Sequence, residues 1–450
     1  MFILKKYKDI LLISISVILY FFFAYFLKRT EFYSLLFLWF SLFGCSYFLI
    51  KSKSLKTSTL IGLVLLFRLI FLFSIPNLSQ DFYRFIWDGR MIFEGYNPYL
   101  SLPETFIQQG NAPITDANNL YNGMGEMNGS HYTNYPPINQ LCFLIAALFA
   151  NKSIFGSIVV LRFIIILADV GILYFGKKLL EKLNLPIKNI FWYALNPFII
   201  IEMTGNLHFE PVMLFFLVWS LYKLHQQKWI WSAILLACSV SVKLIPLLFL
   251  PLFYQWFVKK EQNWFYGIKK IILFYVIILS TILFLFVPFY TSEFLTNYSS
   301  SVGLWFRNFE FNASFYFIFR EIGYLFRGWN EIAIIGKITP VLTILFLIIL
   351  TFFRKNKTTI QLITALLFGL CFYYFTATTV HPWYLATPLI LSIFTKYRFP
   401  IIWTIVIIFS YQAYANSPWK ENLWFIALEY LFVYSFLFFE IKKKSNIIKL

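Results

Sequence analysis

Long apolar segments recur along the whole chain of 450 residues, and several run for about 20 residues with few or no charged side chains. A helix of about 20 apolar residues is long enough to cross the hydrocarbon core of a bilayer. The composition agrees, because 60% of the residues are hydrophobic and only 13% are charged. The strand-type alternation of an outer-membrane barrel is not seen. We therefore predict an all-α polytopic membrane protein.

Hydropathy predicts 13 to 14 transmembrane helices in one unit, residues 1–450, without a separate soluble domain. The predicted spans are 10–27, 32–50, 59–76, 154–176, 189–205, 209–224, 229–243, 244–258, 267–289, 332–353, 358–378, 383–396, 399–415 and 422–440. The apolar segment 138–150 is short for a span, so we predict a helix at the outer membrane interface there.

The net charge of +18 arises from basic residues clustered in short loops between the predicted spans. Such clusters mark the cytoplasmic side of a membrane protein, so they indicate membrane topology and no nucleic-acid partner. This distribution predicts that both termini are cytoplasmic. It also places two long loops on the external face, 77–137 and 289–331. Loops of this length are usually functional or disordered.

The stretch Gln80–Tyr99 carries an unusual density of charge for a segment between hydrophobic spans. At helical spacing, Asp81, Arg84 and Asp88 share one face, and aromatic residues such as Phe82 and Phe85 share another. Gly95 is a natural helix stop. We predict an amphipathic helix on the membrane surface, with its aromatic side chains in the lipid. A plain anchor between two spans is the alternative interpretation.

Titratable residues collect on the predicted external face, where ionisable groups near the membrane usually line a cavity. They are Asp81, Asp88, Glu202, His208, Glu210, Lys243, Arg307 and His381. Such a set could support transfer to a hydroxyl, because a carboxylate can accept the proton of an alcohol and cations can stabilise a leaving phosphate. The aromatic residues that suit a prenyl chain or a sugar ring are Trp87, Tyr96, Tyr99, Tyr135 and Trp383.

Each of these residues also has a structural interpretation. Arg84 and Asp88 could pair along their helix, and Lys243 could extend from a span end to the membrane surface. Trp383 and Tyr384 could be interface-belt aromatics. The spacing of Glu202, His208 and Glu210 fits no strong metal-binding motif, so we expect no metal and no other cofactor.

Several segments together resemble the GT-C membrane glycosyltransferases, especially bacterial mannosyltransferases that use polyprenyl-phosphate mannose. The first is DFYRFIWDGRMIFEGYNPY, which is similar to their first-loop signature. The others are YPPINQLCFLIAAL, NPFIIIEMTGNLHFEP, SVKLIPLLFLP and HPWYLATPL, and they occur in the family's order over residues 81–389. Each motif is moderately specific, and the ordered set is more so.

The resemblance implies a GT-C-type helix bundle and an inverting transfer of a hexose, with mannose expected, to a hydroxyl on the external face of a bacterial inner membrane. It implies Asp81 as general base, and Lys243, Arg307, His381 and Arg84 as donor and phosphate partners. The implied substrate-lining residues are Trp87, Asp88, Tyr96, Asn97, Tyr99, Tyr135, Glu202, His208, Glu210, Trp383 and Tyr384. The implied partners are a polyprenyl-phosphate sugar, a glycan or glycolipid acceptor and membrane lipid.

Two other functions stay open from the sequence. A lipid-linked saccharide polymerase or ligase would also have many spans and large external loops, and it would depend on arginines of the second loop, Arg307, Arg320 or Arg327. A transporter would carry charges near mid-membrane, for which Arg68, Arg162 and Asp169 are the candidates, but the repeated halves typical of transporters are not seen.

Overall fold

A computed structural model describes residues 2–259, 263–307 and 309–448, with side chains described for 7–259, 263–304 and 309–443. The described residues are mostly helical, without a named strand, so the predicted all-α class is confirmed. The α-helices are Phe2–Tyr25, Phe32–Lys51, Thr57–Ile70, Asp81–Phe93, Pro103–Gln108, Ala117–Gly129, Pro137–Ala150, Ile154–Lys182, Phe191–Ala194, Glu210–His225, Trp229–Val240, Tyr254–Phe257, Trp264–Phe286, Phe294–Arg307, Phe315–Arg327, Ile332–Phe352, Thr359–Thr376, Ala386–Ile393, Phe399–Val406 and Leu423–Ile448. A π-helix spans Ile199–Gly205, and 3₁₀-helices span Ile187–Ile190, Ile245–Phe253, Val287–Phe289, Pro382–Leu385 and Ile407–Ala415.

Seven of the described helices are long and apolar enough to cross a membrane, so the chain is an integral membrane protein. An eighth span results if the π-helix Ile199–Gly205 and the helix Glu210–His225, which meet at 113°, count as one. The other predicted spans correspond to apolar helices of 10–17 residues. Hydropathy alone overestimates the lengths of these predicted spans, because a short helix inside a bundle is as apolar as a helix that crosses the membrane.

One end of the bundle carries both chain termini and many of the basic loops. Hydrogen bonds join these segments: Ser52 to Asp9, Lys188 to Ser52, Asn189 to Ile393, and Arg398 and Phe399 to Glu440. The helix Phe2–Tyr25 leads from this end to the opposite one, where the side chain of Arg29 donates a hydrogen bond to Gln80. The first long loop therefore lies at the end away from the termini.

The charged residues that could have suggested a transporter are partnered inside the bundle. Arg68 Nε lies 2.8 Å from Asp169 Oδ2, and Tyr193 donates a hydrogen bond to the same carboxylate. Arg162 instead donates to backbone carbonyls, including those of Thr204 and Gly205. Those carbonyls belong to the π-helix, so Arg162 holds in place the segment that leads into the break before Glu210–His225.

The helix Asp81–Phe93, hereafter the site helix, ends just before the predicted stop, and the chain turns at Gly95 with φ +84°. The prediction that its aromatic side chains lie in lipid is wrong. Phe82 and Phe85 are buried, and Phe85 stacks on Phe143 with ring centroids 4.7 Å apart. A Cβ atom on Gly89 would lie 2.2 Å from the carbonyl oxygen of Phe143. The periodicity identified an apolar face but could not tell protein from lipid.

Phe143 belongs to the helix Pro137–Ala150, hereafter the wall helix, which covers the site helix. Its existence and short length agree with the prediction for 138–150. The second long loop joins the C-terminal part of the chain by a β-bridge between Phe311 and Thr379. Asn312 strengthens this junction, because its side chain donates to Glu429, 3.1 Å away.

Candidate active site

A cavity of about 420 Å³ opens at the end of the bundle away from the termini. Its wall combines the first loop, the break before Glu210–His225, the segment after Trp229–Val240 and the residues around the 3₁₀-helix Pro382–Leu385. Residues singled out from the sequence that line it are Asp81, Arg84, Tyr135, His208, Glu210, Lys243, His381, Trp383 and Tyr384. Residues separated by some 300 positions in the sequence are thus brought together.

Asp81 occupies the first position of the site helix and is half-buried in the cavity wall. Burial raises the pKa of its carboxyl from 3.8 to about 6. Lys243, a hydrogen bond from Asn128, and Arg29 act in the opposite direction and lower that pKa. The carboxylate is therefore largely ionised at neutral pH yet basic enough to accept a proton, as a general base requires.

Arg84 is fixed one turn further along the site helix. Its Nε atom lies 2.8 Å from Asp88 Oδ1, and its Nη1 atom donates to the carbonyls of Asn128 and His131. The Asp88 carboxylate also accepts a hydrogen bond from Gln140 of the wall helix. The interpretation of Arg84 and Asp88 as a pair along the helix is thus correct, and Asp88 stands behind the cavity wall.

Lys243 and Glu210 form a second ion pair inside the cavity. Glu210 begins the helix Glu210–His225 and is buried, whereas the Lys243 side chain keeps 23% of its surface exposed. Lys243 therefore contacts a carboxylate in the protein, instead of extending to the membrane surface. Its ammonium group is largely neutralised by this partner but still faces the cavity.

Three rings form a continuous stack on another side of the cavity. The ring of Trp383 lies 4.0 Å from that of His208 and 4.5 Å from that of His381, nearly parallel to both. Both faces of the indole are therefore covered, so Trp383 offers only its edge to a substrate. Burial and the charge of Lys243 lower the pKa of His381 to about 3. His381 is thus neutral at physiological pH and adds no positive charge to the cavity.

Glu202 lies behind this stack and outside the cavity lining. Its Oε1 atom accepts a hydrogen bond of 2.5 Å from the Tyr411 hydroxyl, and its Oε2 atom lies 3.7 Å from His208 Nε2. Glu202 is thus a close neighbour of His208, but no hydrogen bond joins these two atoms.

Several residues expected to line the site lie elsewhere. Trp87 is buried in the hydrophobic core, and Tyr96 is exposed at the surface. The side chain of Asn97 donates to the carbonyl of Phe289, and the Tyr99 hydroxyl donates to the carbonyl of Tyr135. Asn97 and Tyr99 thus hold the first loop against its neighbours. The side chain of Arg307 is outside the described residues.

The structure adds residues that the sequence reasoning missed. Arg29, in the turn after the first span, lines the cavity beside Asp81. Its guanidinium group lies over the ring of Tyr414 at 4.8 Å, and its Nη2 atom lies 3.4 Å from the side-chain oxygen of Gln80. Asn139 of the wall helix also lines the cavity. The sequence does mark Arg29 as a basic residue that flanks a predicted span. Its contact with the site, however, depends on tertiary structure.

Among the residues that the structure describes, no group of three His, Cys, Asp or Glu side chains could hold a metal ion. Residues 21–259, more than half of the chain, match the family model of the alpha-(1->6)-mannopyranosyltransferase N-terminal domain, named MptA_B family. No match was found among curated proteins.

Proposed function

Since this chain belongs to the alpha-(1->6)-mannopyranosyltransferase family, we propose that it transfers a mannosyl group from a polyprenyl-phosphate donor to a hydroxyl of a glycan or glycolipid acceptor. Membership makes the chain a membrane glycosyltransferase that acts on mannose. The donor, the acceptor and the stereochemistry are our proposal. The observation that carries it is Asp81, an acid with a pKa of about 6 in a cavity that also holds Arg29 and Lys243.

In the proposed reaction, Asp81 takes the proton of the acceptor hydroxyl. At the same time, the oxygen of that hydroxyl attacks the anomeric carbon of the donor. The bond between that carbon and the phosphate oxygen breaks on the opposite side, so the anomeric configuration inverts. Polyprenyl phosphate leaves with the electron pair of the broken bond. A base placed in this way contributes roughly 10²–10⁴ in rate.

The leaving phosphate needs a nearby positive charge, since its negative charge grows as the bond breaks. Arg29 is the cation best suited, because no carboxylate lies within ion-pair distance of it among the described residues, whereas Lys243 is paired with Glu210. A guanidinium group can also bind phosphate oxygens in a bidentate manner. Lys243 supplies a second, weaker positive charge, and Arg307 remains a candidate from the sequence.

The cavity lies at the end of the bundle opposite the termini and the basic clusters of Lys51–Lys56 and Lys188. The positive-inside tendency makes that basic end cytoplasmic. We therefore place the reaction on the external face of the membrane, in a bacterial inner membrane. With cationic side chains available for the phosphate, the proposed reaction is metal-independent.

The test is a transfer assay with purified protein in lipid nanodiscs. Polyprenyl-phosphate mannose with a β-linkage is offered alongside the glucose and arabinose analogues, with and without chelator, and the product linkage is read by NMR. We expect consumption of the mannose donor, an α-linked product and no effect of chelator. A β-linked product would exclude inversion, and failure to use any of the three lipid donors would exclude the proposed donor class.

A further inference from the structure

The wall helix contributes an unusual polar side chain to the cavity. Asn139 has no exposed surface, and neither its Nδ2 nor its Oδ1 atom has a hydrogen-bond partner among the described residues. Buried side-chain amides are nearly always hydrogen-bonded, because leaving them unpaired costs the full desolvation of the group. Asn139 nevertheless lines the cavity that holds Asp81.

The neighbouring residue shows that the wall helix can pair the amide nitrogen of a buried side chain. Gln140 is equally buried, and its Nε2 atom donates to Asp88 Oδ2 at 3.0 Å and to Thr133 Oγ1 at 3.1 Å, whereas its Oε1 atom has no partner among the described residues. Asn196, outside the wall helix, is a buried amide with both atoms paired: its Nδ2 atom donates to Thr404, and its Oδ1 atom accepts from the backbone nitrogen of Phe198. Asn139 differs from both, because neither atom of its amide has a partner among the described residues, and it is the one of the three that lines the cavity.

A carboxamide presents one donor group and one acceptor group side by side. Adjacent hydroxyls of a pyranose ring present the complementary pair, since each hydroxyl both donates and accepts. Arg and Lys side chains would suit phosphate better, and the cavity already holds them in Arg29 and Lys243. We propose that Asn139 binds two neighbouring hydroxyls of the sugar in the cavity and thereby sets which hexose is accepted.

This inference rests on the proposed mannosyl transfer, and the sugar could be either the donor mannose or the terminal sugar of the acceptor. Both present the same hydroxyl chemistry. The two sources are separated by substrate analogues that lack one hydroxyl, prepared once in the donor and once in the acceptor.

The test compares the parent with Asn139→Leu, which keeps the approximate volume of the side chain and removes the amide. We expect kcat/KM to fall about tenfold to a hundredfold, as for the loss of two hydrogen bonds to a bound ligand. The parent should lose a similar factor with the deoxy analogue that lacks a contacted hydroxyl. In Asn139→Leu that same analogue and the complete sugar should react at equal rates, because the contact is already missing.

Thermal unfolding separates this role from a structural one. Asn139→Leu should unfold at a temperature equal to or above that of the parent, because an unpaired buried amide is removed. The matched control Asn196→Leu should unfold at a lower temperature, because it loses existing hydrogen bonds. If the deoxy analogues in both series lose activity equally in parent and Asn139→Leu, the amide does not contact the sugar and the inference is overturned. That outcome still requires an active parent enzyme, so it differs from failure of the proposed function.

Discussion

The main helix of the first long loop is buried in the protein, whereas a helix of the second long loop is largely exposed. Phe82, Arg84 and Asp88 of the site helix are buried. In the helix Phe315–Arg327, by contrast, Leu325 and Phe326 are each 84% exposed. An exposed apolar face of this kind suits a membrane interface.

The charges in the two loops differ in the same way. Arg84 and Asp88 form an ion pair that is almost inaccessible to solvent, while the paired side chains of Arg320 and Glu310 are 17% and 20% exposed and Glu321, the other partner of Arg320, is 53% exposed. A fully buried pair is costly to break, and a pair with an exposed partner such as Glu321 contributes less. The loop that carries Asp81 therefore holds its charged pair more deeply buried than the second loop does. The family match, which ends at residue 259, includes that loop and not the second one.

The largest expected effect is on the transfer rate, and it distinguishes the two loops by their role in catalysis. Asp81→Asn should lower the transfer rate by roughly 10²–10⁴, because the general base is lost, without lowering the unfolding temperature. Arg320→Ala and Arg327→Ala, in the second loop, should stay within about threefold of the parent. The measurement is initial rate with the polyprenyl-phosphate donor. A larger loss in the two arginine variants would favour a saccharide polymerase or ligase.

The next effect is on stability, and it distinguishes the two loops by how tightly their helices pack. Gly89→Ala should destabilise the protein by about 3 kcal/mol, because the new methyl group would collide with the backbone at Phe143 and overpacking of a core costs this much. Gly303→Ala in the helix Phe294–Arg307 is the matched control, since nothing lies within 4 Å of its Cβ position. It should stabilise by about 0.5–1 kcal/mol through helix propensity. Equal unfolding temperatures for both variants would contradict the difference in packing between the two helices.

A smaller effect concerns the phosphate. Arg29→Ala should lower kcat/KM for the donor about tenfold to a hundredfold, through loss of a charge-assisted contact with the leaving group. Lys28→Ala is the control, because this exposed neighbour is not part of the cavity lining. Inhibition by free polyprenyl phosphate should weaken in parallel in Arg29→Ala only. Unchanged inhibition would assign the phosphate to another cation.

The smallest effect is a pH dependence. With a pKa of about 6 for Asp81, the rate should rise with pH up to about 6 and level off above it, because only the ionised acid accepts a proton. Stability should change in the opposite direction. The folded protein holds this proton more tightly than the unfolded chain, so rising pH between 3.8 and about 6 removes stability. Asp81→Asn should lack this loss in unfolding experiments.

Much of the fold could be predicted from the sequence, because length and hydropathy determine the class and helix stops act locally. The presence of a helix within Gln80–Tyr99 and its stop at Gly95 are examples. The partners of its side chains could not be predicted, since periodicity does not reveal whether Phe85 meets a lipid or Phe143. For the same reason Arg29 was missed and Tyr96, which is exposed, was included. Such errors concern contacts between distant segments, which a single sequence does not specify.

The ring stack of His208, Trp383 and His381 has a consequence for how this enzyme family can diversify. His208 belongs to the segment that matches the family, and the other two rings come from the part of the chain beyond it. The two halves therefore share one wall of the reaction chamber. A chimera that joins a foreign C-terminal half to residues 21–259 would have to supply an indole at the position of Trp383. The two halves are therefore expected to be inherited together.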